Sequence, residues 1–218
     1  MTSAVSAVVF DLGGVLIDWD PRYLYRQLFD GDEAGMERFL AEVCTPAWNA
    51  EQDAGRPWTE AVELLVQEYP QERERIEAYH ARWEEMLGGA IDETVEVLRE
   101  LQDRPVRLFA LSNWSAETFP IARRRYPFLG WFDGIVISGE VGICKPDERV
   151  FRHLITRHAI EPETTVFVDD SNVNVEAARG LGMMAIPFTG GHELREELVQ
   201  LGVLEAAPAA GRDADRRS

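Results

Sequence analysis

Four short apolar stretches of this chain each precede polar residues that can carry out chemistry. They are residues 7–10 before Asp11, residues 106–111 before Ser112 and Asn113, residues 135–137 before Lys145, and residues 165–168 before Asp169 and Asp170. A short apolar run bounded by turn residues is typical of a buried strand. Ligands of an open parallel sheet bind outside the carboxyl ends of its strands. The pattern therefore predicts that three carboxylates, a hydroxyl and a lysine meet at one edge of a sheet.

Helical patterns lie between most of the predicted strands. Strands are predicted at residues 5–10, 106–111, 134–138, 165–168 and 184–187. Helices are predicted at residues 92–102, 116–126, 146–158 and 174–181. This alternation favours an α/β fold class, in which a parallel sheet is covered by helices on both sides.

Residues 19–88 interrupt the alternation, because no convincing strand lies among them. Helices fit instead at residues 21–29, 34–43, 59–69 and 71–87. A stretch of this length is too long for a simple crossover connection. We therefore predict a small helical domain over residues 19–88 and a core domain formed by residues 1–18 and 89–204. The last stretch, residues 205–218, has almost nothing to bury and is predicted to be a disordered tail.

The acidic balance of the chain limits its partners. With 39 Asp and Glu against 22 Lys and Arg, the net charge of -17 repels nucleic acid and anionic lipid, so neither is an expected partner. Cys44 and Cys144 have no metal-ligand or disulfide spacing, which suits a reducing cytoplasm. The N-terminus lacks the pattern of a signal peptide and no apolar run is long enough to span a membrane. We expect a cytoplasmic protein, and both a monomer and a homodimer remain open.

Asp11, Asp169 and Asp170 repel one another if they meet at one edge of the sheet. Without a cation at least one of their pKa values should rise sharply. Lys145, the only lysine of the chain, offsets only part of this charge. A divalent ion removes the conflict, and Mg²⁺ prefers oxygen ligands. A carboxylate can also attack phosphorus and form a covalent intermediate, so these residues together predict phosphoryl transfer with a metal ion.

The four polar sites occur in an order that resembles the motifs of a known family. Phe10-Asp11-Leu12-Gly13-Gly14, Leu111-Ser112-Asn113, Lys145-Pro146 and Val168-Asp169-Asp170, with the helical insertion after the first, are similar to the four motifs of the haloacid dehalogenase superfamily. The resemblance covers nearly the whole chain. It implies a Rossmann-like core, a helical cap over the active site and, for most members, a magnesium-dependent phosphatase. It does not specify the substrate, because one fold hosts many chemistries.

The resemblance also implies roles for individual residues. The implied catalytic residues are Asp11, as the nucleophile, Lys145 and Ser112. The implied ligands of Mg²⁺ are Asp11, the carbonyl of Gly13 and Asp170, with Asp169 acting through water. The expected substrate-binding residues are Ser112, Asn113, Lys145, Gly14 and Trp48. Trp48 is included because residues 45–57 are expected to form a loop that mixes an aromatic side chain with polar groups, and burial of Trp48 in the core of the helical domain is the alternative. Asn174 is expected to hydrogen-bond Asp11 or the loop around it.

The chain departs from the family pattern at Gly13. Most phosphatases of the family carry a second aspartate at this position as general acid and base, and glycine cannot move a proton. A metal-bound water, Glu51 or Asp53 are the candidates to replace it.

The predicted function is hydrolysis of a small phosphorylated metabolite, such as a sugar phosphate, with Mg²⁺ and an aspartyl-phosphate intermediate. One alternative is a metal-independent 2-haloacid dehalogenase, which Gly13 suits because a halide leaves without a proton. The other is a binding protein that kept the fold without the chemistry.

Overall fold

The computed structural model of the chain describes residues 4–206. Its strands are β1 (Ala7–Phe10), β2 (Ile17–Trp19), β3 (Leu87–Ala90), β4 (Arg107–Ser112), β5 (Gly134–Ile137), β6 (Thr165–Asp169) and β7 (Met184–Pro187). Its α-helices are α1 (Arg22–Leu28), α2 (Glu33–Glu42), α3 (Pro46–Asp53), α4 (Trp58–Glu68), α5 (Arg73–Ala81), α6 (Asp92–Gln102), α7 (Phe119–Arg125), α8 (Ser138–Val141), α9 (Glu148–His158), α10 (Asn172–Gly180) and α11 (Gly191–Gln200). Short 3₁₀ segments cover Pro70–Glu72, Trp83–Met86, Pro127–Trp131 and Pro162–Thr164. This arrangement confirms the predicted α/β class.

Five strands form one parallel sheet in the order β5-β4-β1-β6-β7. The first strand of the chain lies at its centre, where Phe10 is level with Ala110 of β4 and Val168 of β6. All three strands end within two residues of that level. The register therefore brings the polar residues that follow them to one edge of the sheet.

Both faces of this sheet are buried. Because successive side chains of a strand point to opposite faces, Val9 and Phe167 pack in one cluster with Phe151 of α9. Val8 and Phe10 belong to the second cluster, which extends into the helical segment. Burial on both faces explains why β1 is a continuous apolar run rather than an alternating one.

The helices between β2 and β3 pack around an aromatic core of their own. Tyr25, Trp58 and Tyr79 are buried there, and the rings of Trp58 and Tyr79 stack with their centroids 5.5 Å apart. The helices α1, α2 and α4 correspond to those predicted at residues 21–29, 34–43 and 59–69. These helices form one helical segment between the two strands.

The expectation that no strand lies within residues 19–88 is wrong at the two ends of this range, where Trp19 belongs to β2 and Leu87 to β3. The strands β2 and β3 pair antiparallel, with Ile17 opposite Ala90. The sequence of β3, Leu87-Gly88-Gly89-Ala90, has no strand pattern of its own. Pairing with β2, rather than intrinsic propensity, makes these residues a strand.

Two further expectations for this segment are corrected by the structure. The single helix predicted over residues 71–87 is broken after Ala81, and Trp83 becomes buried in the 3₁₀ segment that follows. Residues 45–57 are not a loop, because they contain α3. Thr45 caps that helix by accepting the Trp48 backbone N–H at 3.0 Å, and Pro46 occupies the first helical position.

The predicted tail, residues 205–218, lies outside the described residues except for Glu205 and Ala206. Glu205 forms an ion pair with Arg104 at 2.6 Å. Among residues 4–206, no helix combines the length and the apolar character that a membrane crossing requires.

Replacing Phe151 by alanine should destabilise the protein by about 3–5 kcal/mol, because it leaves a cavity where a fully buried ring contacts Phe167. The matched control is Leu64→Ala on α4, where the side chain is 50% exposed and the change should stay within about 0.5 kcal/mol. Urea denaturation of the two variants measures both values. Equal losses in the two variants would contradict the assignment of Phe151 to the core.

Candidate active site

Asp11 directly follows β1 and is almost fully buried, with 8% of its surface exposed. Its Oδ1 accepts hydrogen bonds from the Leu12 backbone N–H at 2.7 Å and from the Ser112 hydroxyl at 2.8 Å. Its Oδ2 lies 2.9 Å from Lys145 Nζ. Burial raises the pKa of Asp11 to about 6, because the charge of Lys145 only partly opposes it and the charge of Asp169 adds to it.

Lys145 connects two of the carboxylates. Its Nζ lies 2.9 Å from Asp11 Oδ2 and 2.6 Å from Asp169 Oδ2, and only 1% of its side chain is exposed. Burial alone would lower the pKa of Lys145, but the two carboxylates hold it above its usual value. Asn113 fixes the backbone of Lys145, accepting its N–H at 2.8 Å and donating to its carbonyl at 3.0 Å.

Asp169 is fully buried and hydrogen-bonded on both oxygens. Its Oδ1 accepts the Ser171 backbone N–H at 2.9 Å and the Asn174 amide at 3.0 Å, and its Oδ2 binds Lys145. Asn174 therefore contacts Asp169, and the expected hydrogen bond from Asn174 to Asp11 is wrong. Asn174 lies in the first turn of α10, which directs its side chain back towards the end of β6.

Asp170 completes a cluster of three carboxylates. One oxygen of each of Asp11, Asp169 and Asp170 lies within 4.8 Å of the others. Asp170 is exposed, but partial desolvation of its carboxyl group raises its pKa, and the charge of Asp169 raises it further. One lysine faces three acids here. An all-oxygen set with this excess of negative charge suits a hard divalent cation such as Mg²⁺.

Gly14 allows Asp170 to approach the loop after β1. Its φ of +74° lies in the left-handed region, and a Cβ at this position would lie 2.3 Å from Asp170 Oδ2. Gly13 differs, because nothing lies within 4 Å of its Cβ position. Gly14 thus has a steric reason to be glycine that Gly13 does not share.

A cavity of about 70 Å³ lies beside this cluster, between the sheet and the helical segment. Its lining residues are Gly13, Trp19, Asn49, Asp53, Trp83, Asn113 and Trp114. Asn113 and Gly13 come from the loops that follow β4 and β1, while Asn49 and Asp53 belong to α3. Residues of both parts of the fold therefore line this cavity.

Trp48 is not among the residues that line this cavity. It packs edge-on against Trp58 and Tyr79, with ring centroids 5.6 and 5.2 Å away. This position agrees with the alternative, in which Trp48 belongs to the core of the helical segment. The tryptophans that do line the cavity, Trp19, Trp83 and Trp114, were missed. Only Trp114 had a local signal, since it directly follows Asn113.

Gly14→Ala should weaken Mg²⁺ binding by at least about tenfold, because the new methyl group displaces Asp170 and the left-handed backbone resists alanine. Gly13→Ala is the neighbouring control and should retain the affinity within about threefold, since its methyl group enters open space and its backbone carbonyl is unchanged. Isothermal titration with MgCl₂ measures both. A weaker effect in Gly14→Ala than in Gly13→Ala would contradict the role of this close approach.

Several proteins of known sequence are similar to this chain. The family model of haloacid dehalogenase-like hydrolases matches residues 5–182. Drimenol cyclase drtB of Aspergillus calidoustus is 26% identical over 90% of this chain, which spans only 36% of that protein. Sesquiterpene phosphatase astK of Aspergillus oryzae is 26% identical over 92% of this chain and 98% of its own length. A phosphorylated carbohydrates phosphatase of Thermotoga maritima is 25% identical, with 84% of each chain covered.

Solved structures share the fold. A haloacid dehalogenase family enzyme from Bacteroides thetaiotaomicron superimposes with a TM-score of 0.71 at 20% identity, over 90% of this chain and 99% of that one. The same enzyme in complex with magnesium and inorganic phosphate gives a TM-score of 0.66 at 20% identity, over 86% of this chain and 96% of that one. With the family model covering most of its length, this chain belongs to the haloacid dehalogenase-like hydrolases.

Proposed function

We propose that this hydrolase is a Mg²⁺-dependent phosphatase that acts on a small phosphorylated metabolite through an aspartyl-phosphate intermediate on Asp11. The observation that carries the proposal is the group of three carboxylates within 4.8 Å of one another beside a single lysine. Such a group favours the binding of a divalent cation, and a cation at this point attracts a phosphate group to the nucleophile.

Asp11 is the nucleophile in this proposal. Its Oδ1 is held by the Leu12 N–H and the Ser112 hydroxyl, so the carboxylate is oriented before the substrate arrives. The attacking oxygen of Asp11 forms a bond to phosphorus, and the bond from phosphorus to the ester oxygen of the substrate breaks. Hydrolysis of the resulting mixed anhydride releases inorganic phosphate and restores Asp11.

Lys145 and Ser112 support the attack at fixed positions. Lys145 Nζ lies beside Asp11 Oδ2 and can neutralise charge on the nucleophile and on the transferring phosphoryl group. Asn113 holds the backbone of Lys145 from both sides, which makes it a positioning residue for the lysine. The Ser112 hydroxyl can rotate from Asp11 to a phosphate oxygen without leaving the site.

Asp11, the carbonyl of Gly13 and Asp170 would hold Mg²⁺, and when bound the ion would neutralise the charge that develops on the phosphoryl oxygens. Asp169 contributes less directly, because Lys145, Ser171 and Asn174 already occupy its oxygens. Its main effect is to keep Lys145 in place while adding negative charge to the site.

The substrate is proposed to be small, such as a sugar phosphate. The cavity beside the carboxylates has a volume of about 70 Å³, and only Asn49, Asp53 and Asn113 among its lining residues offer polar side chains. Two relatives support a phosphate ester as the substrate but differ in its organic group, because one is a sesquiterpene phosphatase and the other a phosphorylated carbohydrates phosphatase. The indole rings of Trp19, Trp83 and Trp114 suit either an apolar group or the C–H face of a sugar.

Gly13 favours a second candidate, a 2-haloacid dehalogenase, in which Asp11 attacks carbon and halide leaves without a proton. An L-2-haloacid dehalogenase of Xanthobacter autotrophicus has a similar fold, with a TM-score of 0.59 at 17% identity, over 90% of this chain and 83% of that one. Asp169 and Asp170 argue against this candidate, since a metal-independent reaction gains nothing from the added negative charge near the nucleophile.

Removal of divalent ions distinguishes the two candidates. A panel of phosphorylated metabolites and 2-haloacids, assayed with Mg²⁺ and with EDTA, should show phosphate release that EDTA abolishes and added Mg²⁺ restores. Halide release that persists in EDTA, with no phosphate release on any substrate, would favour the dehalogenase.

Asp11→Asn should lower phosphatase turnover by about 10⁴-fold or more, because the amide cannot form the phosphoryl intermediate. The fold should persist, since the substitution leaves Lys145 and Asp169 as a balanced pair and keeps an oxygen for the Leu12 N–H. Phosphate release measures turnover, and circular dichroism during heating measures stability. Full activity in this variant would disprove the mechanism.

A further inference from the structure

Hydrolysis of a phosphate ester by this site needs a proton donor, and the groups beside the sheet do not supply one. This inference rests on the proposed function, in which an alcohol leaves phosphorus and must be protonated. Lys145 is buried between two carboxylates, and the Ser112 hydroxyl is hydrogen-bonded to Asp11. Gly13, next to the nucleophile, has no side chain. In the proposed function Asp11 attacks phosphorus, Asp169 holds Lys145 and Asp170 binds the cation, so a donor side chain has to come from another part of the chain.

Asp53, the last residue of α3, lines the same cavity as Gly13 and Asn113. Asn49 of the same helix donates its side-chain amide to Asp53 Oδ2 at 2.9 Å. The carbonyl of Asp53 accepts the Ser138 hydroxyl at 2.5 Å, which ties the end of α3 to the segment after β5. These contacts hold the Asp53 carboxyl group at the cavity.

The geometry of phosphoryl transfer directs the leaving group towards this cavity. In an in-line displacement the leaving oxygen lies on the side of phosphorus opposite the attacking oxygen. Asp11 attacks from the carboxyl edge of the sheet, so the leaving oxygen points away from the sheet and towards α3. Of the described residues that line the cavity, Asp53 is the one with an acidic or basic side chain.

The surroundings of Asp53 suit a group that both gives and takes a proton near neutral pH. Burial raises its pKa to about 7, and the Ser115 backbone N–H opposes this only in part. Among residues 4–206 no arginine or lysine forms an ion pair with it. The titratable groups nearby are the Tyr79 phenol of α5 and the Cys144 thiol, and burial raises the pKa of both, so they stay uncharged at neutral pH.

We propose that Asp53 is the general acid and base of this phosphatase, in place of a side chain at position 13. In the first step Asp11 attacks phosphorus, the bond from phosphorus to the substrate oxygen breaks, and Asp53 gives its proton to that oxygen. In the second step the Asp53 carboxylate takes a proton from a water molecule, whose oxygen attacks phosphorus while the bond to Asp11 breaks. Inorganic phosphate and the alcohol are released, and Asp53 is protonated again.

Asp53→Asn tests this role, because it keeps an acceptor oxygen for Asn49 but cannot transfer a proton. On an alkyl phosphate, whose alcohol needs protonation, kcat/KM should fall by about 10²–10⁴-fold. On p-nitrophenyl phosphate, whose phenolate leaves unprotonated, kcat/KM should change by less than about threefold, because this ratio reports only the first step. The matched control is Glu60→Gln, which removes an exposed acid on α4 and should leave both ratios unchanged.

A rescue variant and a pH profile extend the test. Gly13→Asp in the Asp53→Asn background should restore part of the alkyl phosphatase activity, since the Cβ position at Gly13 is open and borders the same cavity. For the unmutated chain, kcat/KM on the alkyl phosphate should fall as the pH rises above about 7, because Asp53 then loses the proton that it must donate. This decline should be absent from Asp53→Asn.

The outcomes separate this role from the proposed function. Equal losses on both substrates in Asp53→Asn, or no loss on the alkyl phosphate, would overturn the assignment of Asp53 and leave the phosphatase intact. If that variant does not fold, the pH profile of the unmutated chain decides, and a profile that stays flat to about pH 9 overturns the assignment. If the unmutated chain hydrolyses no phosphate ester with Mg²⁺, the proposed function fails and the role of Asp53 fails with it.

Discussion

The ammonium group of Lys145 and the carboxylates around it form the interaction on which the site depends. Burying a charge is costly unless it is paired and hydrogen-bonded, and Lys145 Nζ has two carboxylate partners at 2.9 and 2.6 Å. The same contacts leave the site short of positive charge, because Asp170 adds a third acid without a second lysine. The buried ion pairs therefore fix the position of the Asp11 carboxylate, and the excess of negative charge favours the binding of a cation.

Three strands and one loop have to meet for this cluster to form. Asp11, Ser112 and Asp169 follow or end β1, β4 and β6, and the parallel register of these strands places them at one edge. Lys145 reaches the same edge from a loop, where Asn113 holds its backbone on both sides. A shift of one strand by a single residue would exchange its two faces and remove a carboxylate from the cluster.

Most of the core and the sheet-edge cluster could be predicted from the sequence, because buried parallel strands are continuous apolar runs and their polar ends mark the site. The strand β3 could not, since Leu87-Gly88-Gly89-Ala90 becomes a strand only through pairing with β2. Trp48 and Asp53 lie on the same helix, and its orientation decides which of them reaches the cavity. The partner of Asn174 depends on where α10 begins, because the turn between β6 and α10 brings its amide to Asp169.

Contacts between the helical segment and the segments that follow β4 and β5 fix the position of α3 in the fold. The Trp58 indole N–H donates to the Ser115 hydroxyl at 3.0 Å, and Ser138 bonds both the Asp53 carbonyl and the Trp114 N–H. Trp114 and Ser115 directly follow the segment that carries Ser112 and Asn113. The helical segment is thus attached to the stretch of chain that carries Ser112, whose hydroxyl contacts Asp11. Because a group that transfers a proton must lie within hydrogen-bond reach of its target, the proposed role of Asp53 depends on this attachment.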